Sequence, residues 1–266
     1  MPRSQTRLPI SGIYTAMGLF DRLSKEGRAK SSIERNVKKV LNKHIQHEDR
    51  FAAMEKLREA GTEEAIIGLA KRYSYVYDKT ILDEKEKAWV SDALVAMGPK
   101  AVGALRRYAK EAETLSQLLD VFQRICDKDT LLSVIDELLQ REEPGYTRDP
   151  SRKVQILLFL GEWHGASDGE IAKRIVPYVA DFDETVRFTA VESLDHHKDE
   201  AVNRGPLLDA LVRPEEESRR LKVRTAEALA AAGWKISEKK EQVSALLNSE
   251  LPEFGMSHDK LVKKGK

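Results

Sequence analysis

Three segments of this sequence share one pattern: LREAG at residues 57–61, LVAMG at 94–98 and LAAAG at 229–233. Each ends an amphipathic stretch with Leu-x-x-x-Gly, and a second amphipathic stretch follows it. Weaker copies place an apolar anchor in three further segments, at Phe122, Leu160 and Leu194, so that successive anchors stand 28 to 38 residues apart. Self-similarity at such a period is typical of helical repeat proteins. The sequence therefore predicts an all-α superhelix, a solenoid of about six helix pairs.

Residues around the anchors carry helix start and stop signals. Gly61 suits the left-handed position that follows a helix, and Thr62 is a residue type that caps the next helix. Pro99 falls in the first turn of a partner helix, where its missing N–H is not needed. Ser31-x-x-Glu34 and Ser167-x-x-Glu170 are capping-box patterns, which predict helix N-termini. No run of strict alternation predicts a β-strand.

The two ends of the chain differ from the repeats in their weaker apolar periodicity. We expect residues 1–30 to form a flexible tail with at most a short helix, and residues 248–266 to form a flexible basic tail. The repeat domain is assigned to residues 31–247. The first residues are too polar for a signal peptide, and Met17 is taken as an alternative start of the native chain.

Composition narrows the class of protein. Lys+Arg 45 against Asp+Glu 44 gives a net charge of +1, which does not indicate a nucleic-acid-binding protein. Cys126 is the single cysteine, so the chain has no internal disulfide framework and no cysteine-based zinc site. No stretch approaches the roughly 18 to 20 apolar residues that a membrane span needs. We therefore expect a cytoplasmic, monomeric protein.

The stretch DETVRFTAVESL, residues 183–194, resembles the first helix of a HEAT repeat, an armadillo-type fold. It is most similar to the short bacterial variety found in phycobilisome-lyase-like HEAT proteins. Through its recurrence the resemblance covers most of residues 48–247, although 113–141 departs from the pattern. It implies that Asp183 and Arg187, with Arg224 as the counterpart one repeat later, belong to a structural ladder of hydrogen bonds between repeats.

Side chains that could carry chemistry form no recognisable constellation. His44 and His47 stand at helical spacing without the further ligands that a metal site needs, and we expect both to be exposed. His196 and His197 are expected in a solvated loop. Cys126 is expected to be a small buried residue rather than a nucleophile. We therefore predict that the protein is not an enzyme and has no catalytic residue, cofactor or metal.

The second helices carry basic and aromatic residues at similar distances from the anchors. In HEAT-type stacks these helices line the concave face, so the resemblance implies a candidate binding surface of Lys71, Arg72, Tyr73, Arg106, Arg107, Tyr108, Lys173, Arg174, Tyr178 and Arg204. An alternative interpretation is that Lys and Arg complement the helix dipole in C-terminal turns. The tryptophans at 89, 163 and 234 are expected in buried packing.

These observations lead to one main hypothesis and an alternative from another class. The main hypothesis is a non-catalytic interaction scaffold that binds a protein partner through the concave face. The alternative is a nucleic-acid-binding protein, similar to HEAT-like DNA glycosylases, that uses a basic track on the second helices. A chromophore-lyase-type partner is suggested by the resemblance alone. A continuous basic track would favour the alternative.

Overall fold

A computed structural model describes residues 11–77 and 80–264, with side chains from residue 26 onwards in those ranges. Across the described residues the regular structure is helical apart from one short hairpin, which confirms the predicted all-α class and its helical repeats. The chain divides into two compact units, Met1–Tyr108 and Ala109–Lys266. None of the described helices combines the length and the apolar character that a membrane crossing requires.

The first unit packs its helices around two of the predicted anchors. Its described helices are α1 (Ser11–Val40), α2 (His47–Ala60), α3 (Glu63–Ala70), α4 (Thr80–Met97) and α5 (Val102–Ala109). Short 3₁₀ turns, Lys71–Ser74 and Gly98–Ala101, follow α3 and α4. Helix α1 packs against α2 and α3, and α4 packs against the same two helices. Leu57 and Leu94 are fully buried there, as the repeat pattern predicts.

The second unit continues the pattern of helix pairs. Its described helices are α6 (Ser116–Ile125), α7 (Lys128–Leu139), α8 (Ser151–Glu162), α9 (Asp168–Ile175), α10 (Glu184–His196), α11 (Glu200–Leu211), α12 (Arg219–Ala232) and α13 (Lys240–Ser249). A 3₁₀ turn, Val176–Ala180, follows α9. The first helices of successive pairs, α6, α8, α10 and α12, pack side by side, and α9 packs against α11. The anchors of this unit are buried too: Phe122, Leu160, Leu194 and Leu229.

Most of the predicted helix ends are confirmed. Gly61, Gly98 and Gly233 have φ values of 54°, 59° and 65°, the left-handed conformation that closes a helix. The Thr62 hydroxyl accepts a hydrogen bond from the Ala65 amide at 3.3 Å. Ser167 and Glu170 form the complete capping box. These local signals are therefore sufficient to place the ends of several helices.

The predicted helix start at Ser31 is wrong. Helix α1 runs unbroken from Ser11 to Val40, and the Ser31 carbonyl accepts a hydrogen bond from Arg35 Nε at 3.3 Å within it. A capping box marks a helix start only where the preceding chain leaves the helix, and residues 25–30 are mostly good helix formers. The flexible tail predicted for residues 1–30 is thus wrong from residue 11 onwards. Residues 1–10 lie outside the described residues.

The flexible tail predicted for residues 248–266 is also wrong over its described part. Strands β1 (Phe254–Ser257) and β2 (Lys260–Lys263) pair antiparallel, and β2 packs on α12. Phe254 and Leu261 are buried, and so is Leu251 just before the hairpin. Each strand has only four residues, too few for a periodicity that could be recognised in the sequence.

The contact between α8 and α10 depends on a small residue at Gly161. A Cβ atom at Gly161 would lie 2.8 Å from Ser193 Oγ and 3.1 Å from Ser193 Cα, so the two helices would have to move apart. We expect Gly161→Ala to lower the free energy of unfolding by about 1 to 3 kcal/mol. The matched control is Gly103→Ala in α5, where nothing lies within 4 Å of the added atom.

The control should change stability in the opposite direction. Alanine at position 103 favours the helix over glycine by about 0.5 to 1 kcal/mol, so Gly103→Ala is expected to raise the free energy of unfolding. Denaturant unfolding followed by circular dichroism measures both changes. Equal effects of the two substitutions would contradict the close approach at Gly161.

Candidate functional site

Three residues of the predicted binding surface are buried: Arg72, Tyr73 and Tyr178. Arg72 and Tyr73 lie in the 3₁₀ turn Lys71–Ser74, and Tyr178 lies in the turn Val176–Ala180. A 3₁₀ turn has three residues per turn rather than 3.6, so it rotates these side chains out of the phase that a continuous α-helix would give them. Their prediction as exposed binding residues is therefore wrong.

Several of the remaining cations on the predicted surface already have carboxylate partners. Arg107 forms an ion pair with Glu63. Arg174 holds both oxygens of Asp136, at 2.7 and 2.8 Å. Arg204 donates to Glu200 at 2.9 Å and to Glu238 at 3.1 Å. Of the other predicted residues, Lys173 is exposed, whereas the rest are partly buried: Lys71, Arg106 and Tyr108. Much of the positive charge on the second helices is therefore neutralised within the protein.

The observed hydrogen bonds between repeats differ from the ladder that the resemblance implies. Arg187 donates to both oxygens of Glu216, at 2.8 and 3.2 Å, in the loop before the next helix pair. Arg224 pairs with Asp195 at 2.9 Å. Asp183 makes no such link, because its carboxylate caps α10 by accepting from the amides of Thr185 and Val186.

A basic residue stands seven positions before five of the six anchors, and its partner is a carboxylate in every case. These residues are Arg50, Lys87, Lys153, Arg187 and Lys222, the last paired with Glu250. Lys222, not Arg224, is thus the counterpart of Arg187 in the repeat register. The constant offset of seven residues from the anchors is a signal already present in the sequence.

Arg50 and Arg72 belong to a buried network of charges in the first unit. Glu86 accepts from Arg50 Nη2 at 2.8 Å and from Arg72 Nε at 2.6 Å, and Asp83 accepts from Arg72 Nη2 at 2.6 Å. Lys87 pairs with the other oxygen of Asp83 at 2.6 Å. All of these side chains are buried. Removing one member would leave its partners charged and unpaired in a region of low dielectric.

The network also holds the segment that follows α3. Arg72 Nη1 donates to the Tyr75 carbonyl at 3.2 Å, and the Tyr77 amide donates to Asp83 Oδ1 at 2.9 Å. The Tyr75 hydroxyl donates to the Val40 carbonyl of α1 at 2.6 Å. Arg50 and Arg72 lie over the rings of Tyr77 and Tyr75, 4.6 and 4.4 Å from their centroids. The role of this network is therefore structural.

The network makes the stability of the first unit sensitive to acid. Burial raises the pKa of Glu86 and Asp83, but hydrogen bonds from Arg50 and Arg72 to Glu86, and from Lys87 and Arg72 to Asp83, outweigh burial and leave both pKa values lowered. A lowered carboxyl pKa stabilises the fold above the ordinary value of about 4, and this contribution is lost as pH falls through the lowered pKa.

We therefore expect the denaturant midpoint of the first unit to stay constant from neutral pH to about pH 5 and to fall steadily below about pH 4. Hydrogen exchange at the Tyr77 amide, which donates to Asp83, reports this change locally. A midpoint and a Tyr77 protection factor, corrected for the intrinsic pH dependence of exchange, that do not change down to about pH 2 would contradict the lowered pKa values.

Two predictions about histidine are wrong. His197 is fully buried, with Nε2 2.8 Å from the Leu160 carbonyl oxygen and Nδ1 3.1 Å from Asp168 Oδ1. His47 is only partly exposed, and its Nδ1 lies 2.6 Å from Glu86 Oε1 in the buried network. Within the described ranges, no group of three or more His, Cys, Asp or Glu side chains is arranged to hold a metal ion.

Cysteine and tryptophan are less buried than the sequence predicts. Cys126 follows α6 and is partly exposed, so the prediction of a buried cysteine is wrong. Trp163 is buried as predicted, and it stacks on Phe159 with ring centroids 6.2 Å apart. Trp89 and Trp234 are only partly buried. Trp89 packs against Phe51, with ring centroids 5.0 Å apart.

The most unusual surface feature of the second unit is a pair of exposed aromatic rings. Tyr146 is 77% exposed and Phe182 is 69% exposed, yet their ring centroids are only 5.4 Å apart in a T-shaped arrangement. The rings come from two different loops, each of which joins one helix pair to the next. We call these two loops and a third such loop, which Arg187 links to Phe182, the aromatic edge, defined as residues 140–150, 181–183 and 212–218.

A buried ion pair holds both aromatic residues in place. Lys153 Nζ donates to Asp181 Oδ2 at 2.8 Å and to the Gly145 carbonyl at 2.7 Å. The Gly145 amide donates to the same Asp181 oxygen at 3.0 Å. Gly145 and Asp181 are the residues that immediately precede Tyr146 and Phe182. Gly145 has a φ of 128°, which glycine adopts readily and other residues rarely do.

Further contacts fix the loops of the aromatic edge to one another. Arg187 Nη1 donates to the Phe182 carbonyl at 2.9 Å, while the same guanidinium holds Glu216 in the third loop. The hydroxyl of buried Tyr178 donates to the Glu142 carbonyl at 2.8 Å. Burial, followed by the nearby charge of Glu142, raises the pKa of Tyr178 far above its ordinary value, so it remains a donor. The exposed rings are therefore presented on a rigid base.

Neither Tyr146 nor Phe182 was among the predicted site residues, although the sequence carries a signal for both. Tyr146 stands in EEPGYTRDP and Phe182 in the short connection ADFDE, each an aromatic residue among polar loop residues. Aromatic residues in polar loops usually pack inward or serve binding. What the sequence could not show is that two loops more than thirty residues apart bring the rings together.

Comparison of the chain with protein-family profiles, curated protein sequences and solved structures finds no match.

Proposed function

We propose that this chain is a non-catalytic interaction protein that binds a protein partner at the aromatic edge. The observation that carries the proposal is the pair of exposed rings at Tyr146 and Phe182, which touch each other and are held by a buried ion pair. Aromatic side chains are enriched at protein interfaces, where a few buried ones supply much of the binding energy. We place this interaction in the cytoplasm and assign it to the monomer.

Rigid presentation favours binding because little conformational entropy is lost. Each ring offers a large apolar area, and an aromatic side chain has only two rotatable bonds to immobilise. Here the preceding residues, Gly145 and Asp181, are already fixed by Lys153. A partner that covers both rings therefore gains their burial at a small ordering cost.

This proposal moves the binding surface away from the second helices. There, three of the ten predicted residues are buried, and Arg107, Arg174 and Arg204 form ion pairs with carboxylates. The same pairing leaves few cations for phosphate contacts, so nucleic acid is not proposed as the ligand.

A site-specific photo-crosslink tests the proposal. Benzoylphenylalanine is placed at position 146, and in a matched control at position 81, where Ile81 is 74% exposed in the first unit. After irradiation in native lysate we expect a discrete protein adduct at position 146 that is absent from position 81 and is lost when Phe182→Ala is added. Identical adducts at both positions, no adduct, or an adduct that survives Phe182→Ala would contradict the proposal.

A further inference from the structure

The charged residues of the aromatic edge indicate which chemical groups its partner presents. Its three loops contain eight carboxylates and three guanidinium groups. Three of the carboxylates, Glu142, Asp181 and Glu216, are paired with cations of the neighbouring helices. The other five form no ion pair within the described residues: Glu143, Asp149, Asp183, Glu215 and Glu217.

Some of these carboxylates are linked to Phe182 through the chain or through Arg187. Asp181 and Asp183 flank it in the chain, and Arg187 joins its carbonyl to Glu216. Glu215 and Glu217 stand on either side of Glu216 and are exposed. An exposed ring attracts a cation through its face, and carboxylates in the adjoining loops add to that attraction.

The rings of the aromatic edge are also open to a cation. Elsewhere in the described residues, six Lys or Arg side chains lie over five aromatic rings, for example Arg220 at 4.1 Å from the centroid of Phe188. No side chain of the described part of the chain occupies a face of Tyr146 or Phe182 in this way. The aromatic edge thus combines two exposed rings with carboxylates that form no ion pair in the same three loops.

From this geometry we infer that the partner presents an extended basic segment, with Arg or Lys side chains stacked on Tyr146 and Phe182 and paired with carboxylates of the aromatic edge. This inference rests on the proposed function and names the chemistry of its ligand. An extended segment fits because the edge consists of three successive loops rather than one enclosed cavity. Arginine suits the site best, since its planar group stacks on rings while donating to carboxylates.

Selection from a phage library of random dodecapeptides tests the inference without assuming a sequence. The immobilised full chain serves as target, and three variants serve for comparison: Tyr146→Ala/Phe182→Ala, Glu215→Lys/Glu217→Lys and Leu158→Ala. Leu158 is a 48% exposed apolar residue of α8 and provides the matched control. Unfolding midpoints of all variants are measured in parallel, so that a loss of fold is recognised.

We expect enriched peptides rich in Arg and Lys. Their affinity should fall at least about tenfold in the double alanine variant, several-fold on charge reversal at Glu215 and Glu217, and hardly at all in Leu158→Ala. Neutral or acidic peptides that still require the two rings would overturn the inference and leave the proposed function intact. Peptides that bind the double alanine variant equally well, or no enrichment at all, would overturn both.

Discussion

Replacing Glu86 with glutamine is expected to lower the free energy of unfolding of the first unit by about 3 to 5 kcal/mol. The Glu86 carboxylate accepts from Arg50 and Arg72, both fully buried. Glutamine has the same shape, but it turns an amide donor towards guanidinium donors and removes the charge that compensates them. Denaturant unfolding by circular dichroism gives the size of the loss.

The matched control for this prediction is Glu84→Gln. Glu84 lies two residues away in α4 and is exposed, so its substitution is expected to change stability by no more than about 0.5 kcal/mol. Hydrogen exchange assigns the effect to a place: with Glu86→Gln, exchange should speed up in α2, α4 and the segment at Tyr75. If Glu86→Gln and Glu84→Gln unfold at the same denaturant concentration, the buried network does not stabilise the fold.

Replacing Lys153 with methionine is expected to cost about 3 to 5 kcal/mol in the second unit. Lys153 is 1% exposed, and its ammonium group is the only cation paired with Asp181 among the described residues. Methionine fills much of the same volume but leaves the Asp181 carboxylate buried with backbone amides alone. Denaturant unfolding measures the loss, and faster hydrogen exchange at the Gly145 amide reports that the loop before Tyr146 is released.

Two further variants distinguish the loss of the Lys153–Asp181 ion pair from the effect of removing any lysine. Lys173→Met in α9, where the lysine is exposed, is expected to change stability by no more than about 0.5 kcal/mol. In an Asp181→Asn background, Lys153→Met should cost less than it does alone, because no buried charge is then left unpaired. Equal costs in the two backgrounds would mean that Lys153 acts through packing and not through Asp181.

Both predictions concern an ion pair made by the basic residue seven positions before an anchor, but the two pairs hold different segments of the chain. Arg50 and Lys153 both stand seven residues before an anchor, and each is buried against a carboxylate. In the first unit Arg50 lies over the ring of Tyr77, whereas in the second Lys153 fixes Gly145, the residue before Tyr146. A buried ion pair at the same repeat position thus supports a candidate binding site in only one of the two units.

The helical framework could be predicted from the sequence because its signals are local and repeated. The anchors at Leu57, Leu94 and Leu229 are followed at a fixed distance by a helix-ending glycine, and all three anchors are buried. Residues that depend on an irregular turn could not be placed in this way. The 3₁₀ turns at Lys71–Ser74 and Val176–Ala180 change the phase of the chain, so Arg72 and Tyr178 point inward.

The candidate site could not be predicted from the sequence for a different reason. Tyr146 and Phe182 are 36 residues apart in the sequence, and their contact arises from the packing of α8 against α10. Loop residues have no periodicity that would predict their exposure. The buried pair of Lys153 and Asp181 sets the position of both rings, and only the folded chain brings this lysine to that carboxylate.

Tyr146 and Phe182 are proposed to form the binding site for a protein partner. The most direct test is calorimetric titration of the partner recovered through the cross-link at position 146, using wild type, Phe182→Ala and Leu158→Ala of equal stability. We predict that the dissociation constant rises at least about tenfold for Phe182→Ala and less than about twofold for Leu158→Ala. The same dissociation constant for all three proteins would contradict the claim.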